Sequence, residues 1–170
     1  MQLRAGRFTL RRLTPSDIDA VVAACQDTEM ARFVPFIPVP YTVDDAREWL
    51  AKVDRAWGQS DERTFAIIDH SQDESFQGVV TVRLHERGTV GYWLAPWARG
   101  RGVMAECVRR IVDWARHEQG IEQLLLMTHP DNLASQRVAE RAGFKRIGET
   151  DQHDSPFRDG STTAVLFELR

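Results

Sequence analysis

Apolar residues change their spacing several times along the chain, and each change predicts an element. Residues 3–13 (LRAGRFTLRRL) read as an extended segment, closed by the helix start Thr14-Pro15-Ser16-Asp17. Ile18, Val21, Val22 and Cys25 then repeat at helical spacing. RFVPFIPVPY (32–41) follows, broken by three prolines yet strongly apolar for a loop. A second helix is predicted from Thr42, capped through Asp45, with Ala46, Trp49, Leu50, Val53 and Trp57 on its buried face and Gly58 at its end. Three strand-like runs, 64–69, 77–84 and 89–94, are separated by short polar turns and read as an antiparallel meander. The rhythm then changes to helix 103–118, strand 122–128, helix 133–142 and strands near 144–148 and 162–168. There is no repeat and no linker, so 1–170 reads as one α+β domain.

Composition narrows the classes. The 170 residues are 42% apolar and 28% charged, which suits a packed core and not disorder. A net charge of −3 argues against a dedicated nucleic-acid binder. No apolar run is long enough to span a membrane, and the N-terminus lacks a signal-peptide pattern, so a cytoplasmic location is expected. Cys25 and Cys107 sit in helix-patterned segments and read as core residues; neither a disulfide nor a metal site is expected.

The chemistry concentrates in GYWLAPWARGRGVMAECVRRIVDWARHEQG (91–120). A strand ends at Pro96 and the turn Arg99-Gly100-Arg101-Gly102 feeds straight into a helix with Met104, Cys107, Val108, Ile111 and Ala115 on one face. Free N–H groups and the helix dipole make such a start an anion site. Segment 99–116 holds five arginines against Glu106 and Asp113, a local +3 in a chain of net −3. That suggests a phosphate ligand, although a glycine turn can also serve packing alone. A P-loop is excluded, because Val103-Met104 follow Gly102 where Lys-Ser/Thr is needed. Gly100-x-Gly102-x-x-Ala105 matches a dinucleotide fingerprint formally, but an antiparallel meander lies upstream and Asp131 comes late. That match is weak but leaves a nicotinamide-dependent enzyme open, and coenzyme A is the third class.

ARGRG with its helix, the preceding GYWLAP, the downstream HPDNLASQRVAERAGF and the early PYTVDDAREWL together resemble the Gcn5-related N-acetyltransferase (GNAT) superfamily. The likeness is to the branch of ribosomal-protein N-terminal (alanine/serine) acetyltransferases, and it covers nearly the whole chain. It implies a three-layer αβα fold: a mixed, mostly antiparallel sheet of about six to seven strands with about four helices. It implies acetyl-CoA as cosubstrate and no metal. The amides of Arg99, Gly100, Arg101, Gly102, Val103 and Met104 would hold the pyrophosphate, with the Met104 side chain turned into the core. Backbone groups of Trp93 and Leu94 would pair with pantetheine, and the Leu94 N–H would stabilise the oxyanion if the neighbouring strand diverges there. Asn132 would bind the pantetheine arm and Ser135 would protonate the leaving thiolate. By themselves these two residues also read as a helix N-cap and a surface serine.

The resemblance also exposes a gap. Relatives often place Glu two residues before the strand glycine as a base; here that residue is Thr89. His85, Glu86, His129, Asp151 and His153 are the candidate replacements. Neutralising a lysine amine at pH 7 costs about 4–5 kcal/mol, an α-amine about 1, so a weakly basic acceptor is favoured. Two regions would flank it: the apolar 32–41 loop, through Phe36 and Tyr41, and DQHDSPFRD (151–159), through Asp151 and Asp154, with His85 as a further candidate. The expected activity is transfer of acetyl to the α-amine of a peptide or protein, or to a small-molecule amine. A degenerate acyl-CoA sensor is the alternative that Thr89 and Met104 keep open. No nucleic acid or membrane partner is expected, and a homodimer is possible.

Overall fold

The computed structural model describes residues 1–59, 61–85, 87–151 and 156–170. The opening extended segment is a hairpin, β1 (Gln2–Ala5) and β2 (Phe8–Arg11), folded back at Gly6 with φ +55°. Asp17 then anchors the first helical layer. Its carboxylate accepts the Thr14 N–H at 2.8 Å and both Arg11 Nη groups at 2.8 Å. A 3₁₀ turn at Pro15–Asp17 leads into α1 (Ile18–Cys25). A short helix α2 (Thr28–Phe33) follows, with Asp27 as N-cap accepting the Met30 N–H at 3.0 Å. Sequence periodicity does not show α2, because six residues are too few to display a repeat. α3 (Val43–Gln59) starts at the reciprocal Thr42–Asp45 capping pair.

The meander is β3 (Glu62–Asp69), β4 (Ser75–Arg83) and β5 (Arg87–Leu94). After it come α4 (Val103–Gln119), β6 (Gln123–Thr128), α5 (Leu133–Arg141), β7 (Lys145–Asp151) and β8 (Thr163–Leu169). The strands form one sheet in the order β1-β2-β3-β4-β5-β6-β8-β7. Every pairing is antiparallel except β5–β6, which is parallel. The sheet thus has eight strands, the hairpin supplying both members of what reads in sequence as one extended segment.

Two apolar clusters make the layers. α4 and α5 pack on one face with Phe8, Leu10, Phe65, Val80, Val82, Val90, Leu124, Leu126 and Phe167. α1, α2 and α3 cover the other face with Ala66, Ile68, Phe76 and Val79. α4 buries Val103, Met104, Cys107, Val108, Ile111 and Trp114, each large side chain contributing on the order of 1.5–3 kcal/mol. Burial pushes both cysteine thiols up, Cys25 to about 12, so they stay protonated packing residues. Among the described residues no helix is long and apolar enough to cross a membrane.

Candidate functional site

The one parallel junction in the sheet is also where it opens. β5 and β6 pair from Arg87↔Gln123 to Val90↔Leu126, and then stop, although β5 runs on to Leu94 and β6 to Thr128. Ladder parity decides which backbone groups face the gap. The Ala95 N–H donates to the Gln77 carbonyl at 2.9 Å, so Ala95, Trp93 and Gly91 turn their N–H and C=O to β4. Tyr92 and Leu94 turn theirs the other way, toward strand positions that β6 has left. The expectation that Trp93 and Leu94 both present backbone there is therefore corrected by one residue. Trp93 pairs with Val79, and its ring lies among Trp49 and Phe76 on the α3 side. The cleft below is lined by Phe33, Val34, Val90, Gly91, Tyr92, Leu126, Met127, Thr128, His129, Asn132, Ser135 and Phe157.

Beyond Leu94 the chain makes a 3₁₀ turn at Pro96–Ala98 and enters the glycine turn. Gly100 and Gly102 have φ of +75° and +76°, a region in which L side chains are strained. A Cβ at either would meet nothing within 4 Å, so the backbone here borders open space. Gly102 is the N-cap of α4, and Met104 is 1% exposed, its side chain in the core as expected. The arginines are less free than their number suggests. Arg99 pairs with Asp27, and Arg101 reaches Asp69 Oδ2 at 3.1 Å and Gln72 Oε1 at 3.1 Å. Arg109 donates to the Arg141 carbonyl.

On the other side of the gap, Asn132 caps α5, its Oδ1 accepting the Ser135 N–H at 3.0 Å. Asn132 and Ser135 nonetheless line the cleft, so the capping role and the ligand-facing role coincide. The Ser135 hydroxyl lies 3.0 Å from the Tyr92 hydroxyl, and Tyr92 also donates to the Ser135 carbonyl at 3.1 Å. Burial pushes the Tyr92 phenol well up, outweighing the Ser135 hydrogen bond, so it stays protonated. Tyr92 was not a sequence candidate. Its signal was the strand alternation that puts it on the same face as Val90 and Leu94.

His129 reaches the cleft, but both ring nitrogens are engaged. Nδ1 accepts the Asp131 N–H at 3.0 Å, which leaves the proton of the neutral ring on Nε2, facing Asp159 at 3.2 Å and Ser161 at 3.1 Å. Its ring contacts Phe33 and Phe157. Asp159 is held below the usual carboxylate range chiefly by the Ser161 hydroxyl and N–H, with His129 adding to it. The loop carrying Phe157 is fastened to α2 and the apolar segment by Arg158, whose Nε donates to Ala31 O at 2.8 Å and whose Nη2 donates to Ile37 O at 2.5 Å.

Of the other acceptor candidates, the structure brings few together. Tyr41 is 7% exposed inside the second core cluster, because α1 and α3 close over it; its ring is packing. Phe36 is 80% exposed and does not line the cleft, where Phe33 and Val34 of the same segment do. His85 lies beyond Arg83 near Asp61, at the opposite end of the β4–β5 pair from Leu94, so it is corrected to a remote surface residue. Asp151 ends β7 exposed, taking the Thr162 hydroxyl at 3.0 Å, and is not among the cleft-lining residues. Glu86, His153 and Asp154 lie outside the described residues. Thr89 pairs with Leu125 and Arg83 in the sheet.

Comparison with known proteins gives the family and the fold. A family model described as acetyltransferase (GNAT) domain matches residues 7–145. Probable N-acetyltransferase YjcK of Bacillus subtilis is 34% identical over 113 residues, 64% of this chain and 62% of that protein, so the match spans less than two-thirds of that relative. The ribosomal-protein-S5-alanine acetyltransferase of Vibrio fischeri superposes with a TM-score of 0.81 at 18% identity, covering 99% of this chain and 96% of the other. The spermidine N-acetyltransferase of Vibrio cholerae, solved with CoA and spermine, superposes with a TM-score of 0.76 at 17% identity, covering 96% and 95%. At these identities the two structures establish a shared fold.

Proposed function

The chain belongs to the GNAT acetyltransferase family, and from that premise we propose that it is an N-acetyltransferase carrying acetyl from acetyl-CoA to a primary amine, with a peptide or protein α-amine as preferred acceptor. The observation that carries the reading is the β5–β6 gap, where Tyr92 and Leu94 offer backbone groups beside the glycine turn of α4. The open backbone at Gly100 and Gly102 fits a phosphate held by amides at a helix start. A pantetheine arm would lie along Leu94 and Asn132, replacing the missing strand. The Leu94 N–H is then placed to donate to the thioester oxygen as negative charge develops on it.

The proton inventory supports a direct transfer. A neutral amine that attacks the thioester carries the one proton the departing sulfur needs, so overall no external base is consumed. Ser135 has a hydroxyl that can take and give a proton, and it opens to the cleft. The described cleft lining contains no carboxylate, and His129 has both nitrogens occupied. That arrangement suits an acceptor with an appreciable neutral fraction at pH 7. An α-amine costs about 1 kcal/mol to deprotonate, a lysine side chain about 4–5. The V. fischeri and V. cholerae proteins are named for a protein and a polyamine acceptor respectively, so both classes belong in the test.

The test is thiol release from acetyl-CoA against a panel of N-terminal peptides, polyamines and aminoglycosides, beside direct binding of coenzyme A. Turnover with α-amines is expected. Binding without turnover across the panel would favour the sensor reading, and absence of binding would overturn the proposal.

A further inference from the structure

Asp69 is a carboxylate with 0% exposure at the end of β3, and the activity proposed above gives it no task. Its Oδ1 accepts the Ser71 N–H at 2.9 Å and the Ser71 hydroxyl at 2.7 Å. Its Oδ2 meets Arg7 Nε at 3.3 Å and Arg101 Nη2 at 3.1 Å. Arg101 stands between the two left-handed glycines, and its second Nη donates to Gln72 Oε1 at 3.1 Å. One of the five arginines that make this segment basic is thus spent on a buried anion and its neighbour. Burial alone would raise the Asp69 carboxyl, but the Ser71 hydrogen bonds together with Arg7 and Arg101 hold it below the usual range, so the anion persists.

We propose that Asp69 is the positioning residue of the donor turn: through Arg101 it fastens the backbone between Gly100 and Gly102 to the end of β3, so that amides, and not the Arg101 guanidinium, receive the coenzyme A phosphates. The inference rests on the functional reading given above. Two glycines give this turn wide freedom, and a ligand that has to order it loses affinity. A guanidinium held by a buried carboxylate, with Gln72 as a second acceptor, reduces that freedom before the ligand arrives.

The two roles of Arg101 predict opposite signs. If Arg101 gripped phosphate, Asp69→Asn would release it and coenzyme A would bind more tightly. If Arg101 is a tether, Asp69→Asn weakens coenzyme A about tenfold. Arg101→Gln then loses about the same, and the double variant loses no more than either. Calorimetry with coenzyme A measures this. Competition by S-acetylpantetheine, which has no phosphate, is expected to keep its wild-type strength in every variant. Arg101→Lys covers the case in which Asp69→Asn does not fold: lysine keeps the charge but not the fork, so it is expected to bind as weakly as Arg101→Gln. Unchanged or tighter coenzyme A binding by Asp69→Asn overturns the proposal. So does restoration by Arg101→Lys, or an equal loss of S-acetylpantetheine. A wild-type protein that binds no coenzyme A would overturn the functional reading and this inference with it; wild-type binding beside an unaffected Asp69→Asn overturns the inference alone.

Discussion

The two sides of the cleft are built by different means. The donor side consists of long regular elements: β5, the glycine turn, the 17-residue α4 and the capped start of α5. Its presented groups are mostly backbone, aimed by ladder parity and helix geometry. The side proposed above for the acceptor is a six-residue helix, a proline-rich segment and residues 156–162 before β8, held by side chains that reach across the chain. Arg158 holds carbonyls more than 120 residues earlier, and Arg32 pairs with Asp131 at 2.9 Å. Backbone geometry survives substitution at most positions, whereas a side-chain staple is lost with one residue. A fold built this way can keep its donor chemistry while its acceptor wall diverges.

The largest effect should come from Ser135 on the donor side. Ser135→Ala is expected to lower kcat about 100-fold with coenzyme A affinity unchanged, as measured by thiol release and calorimetry. Tyr92→Phe leaves the hydroxyl in place but removes its 3.0 Å partner, and a smaller loss of kcat is expected. If Ser135→Ala lowered affinity as severely as kcat, its role would be the shape of α5 and not proton transfer.

Arg158→Gln tests the acceptor side. It removes hydrogen bonds to Ala31 O and Ile37 O, each charge-assisted and worth roughly 1.5–3 kcal/mol. An acceptor KM raised about tenfold, with coenzyme A affinity unaltered, is the expected outcome in steady-state kinetics. A parallel loss of coenzyme A binding would show that the two sides are one cooperative unit and dissolve the contrast.

The same contrast governs what could be read in advance. Helix starts at Thr14 and Thr42, the glycine turn and the buried Met104 are local in sequence, and their physics is local too. The local geometry of these elements was therefore legible from spacing alone. Whether Trp93 or Tyr92 turns its backbone to the gap depends on the register with β4, which spacing alone does not supply. His85 could not be placed for a related reason: a strand end in sequence does not say which end of the sheet it joins. Tyr41 and Phe36 share one apolar segment, yet one is packed under α1 and α3 and the other stands in solvent. Nothing in a proline-rich run distinguishes them. Asp69 and Arg158 gave no signal, since their partners are distant in sequence.

Acidification should separate buried from exposed anchors, with the smallest effect of the three. Asp17 is 5% exposed and, although burial opposes it, its hydrogen bonds with Arg11 and Thr14 hold its carboxyl below the usual range. A carboxyl lowered in the folded state is stabilising above its unfolded value near ~3.9, and that contribution fades as pH falls through the folded value. Asp159 is also lowered, but its side chain is 54% exposed, so solvent screens its partners. Urea midpoints compared at pH 6 and below pH 4 are expected to fall in the wild type. Asp17→Asn should start about 1 kcal/mol less stable and show a shallower decline. Asp159→Asn should track the wild type, because the acceptor wall depends on Arg158 and its aromatic contacts more than on that carboxylate. An Asp159→Asn curve as shallow as that of Asp17→Asn would instead make the Asp159 contacts with Ser161 and His129 a structural anchor equal to those of the regular layers.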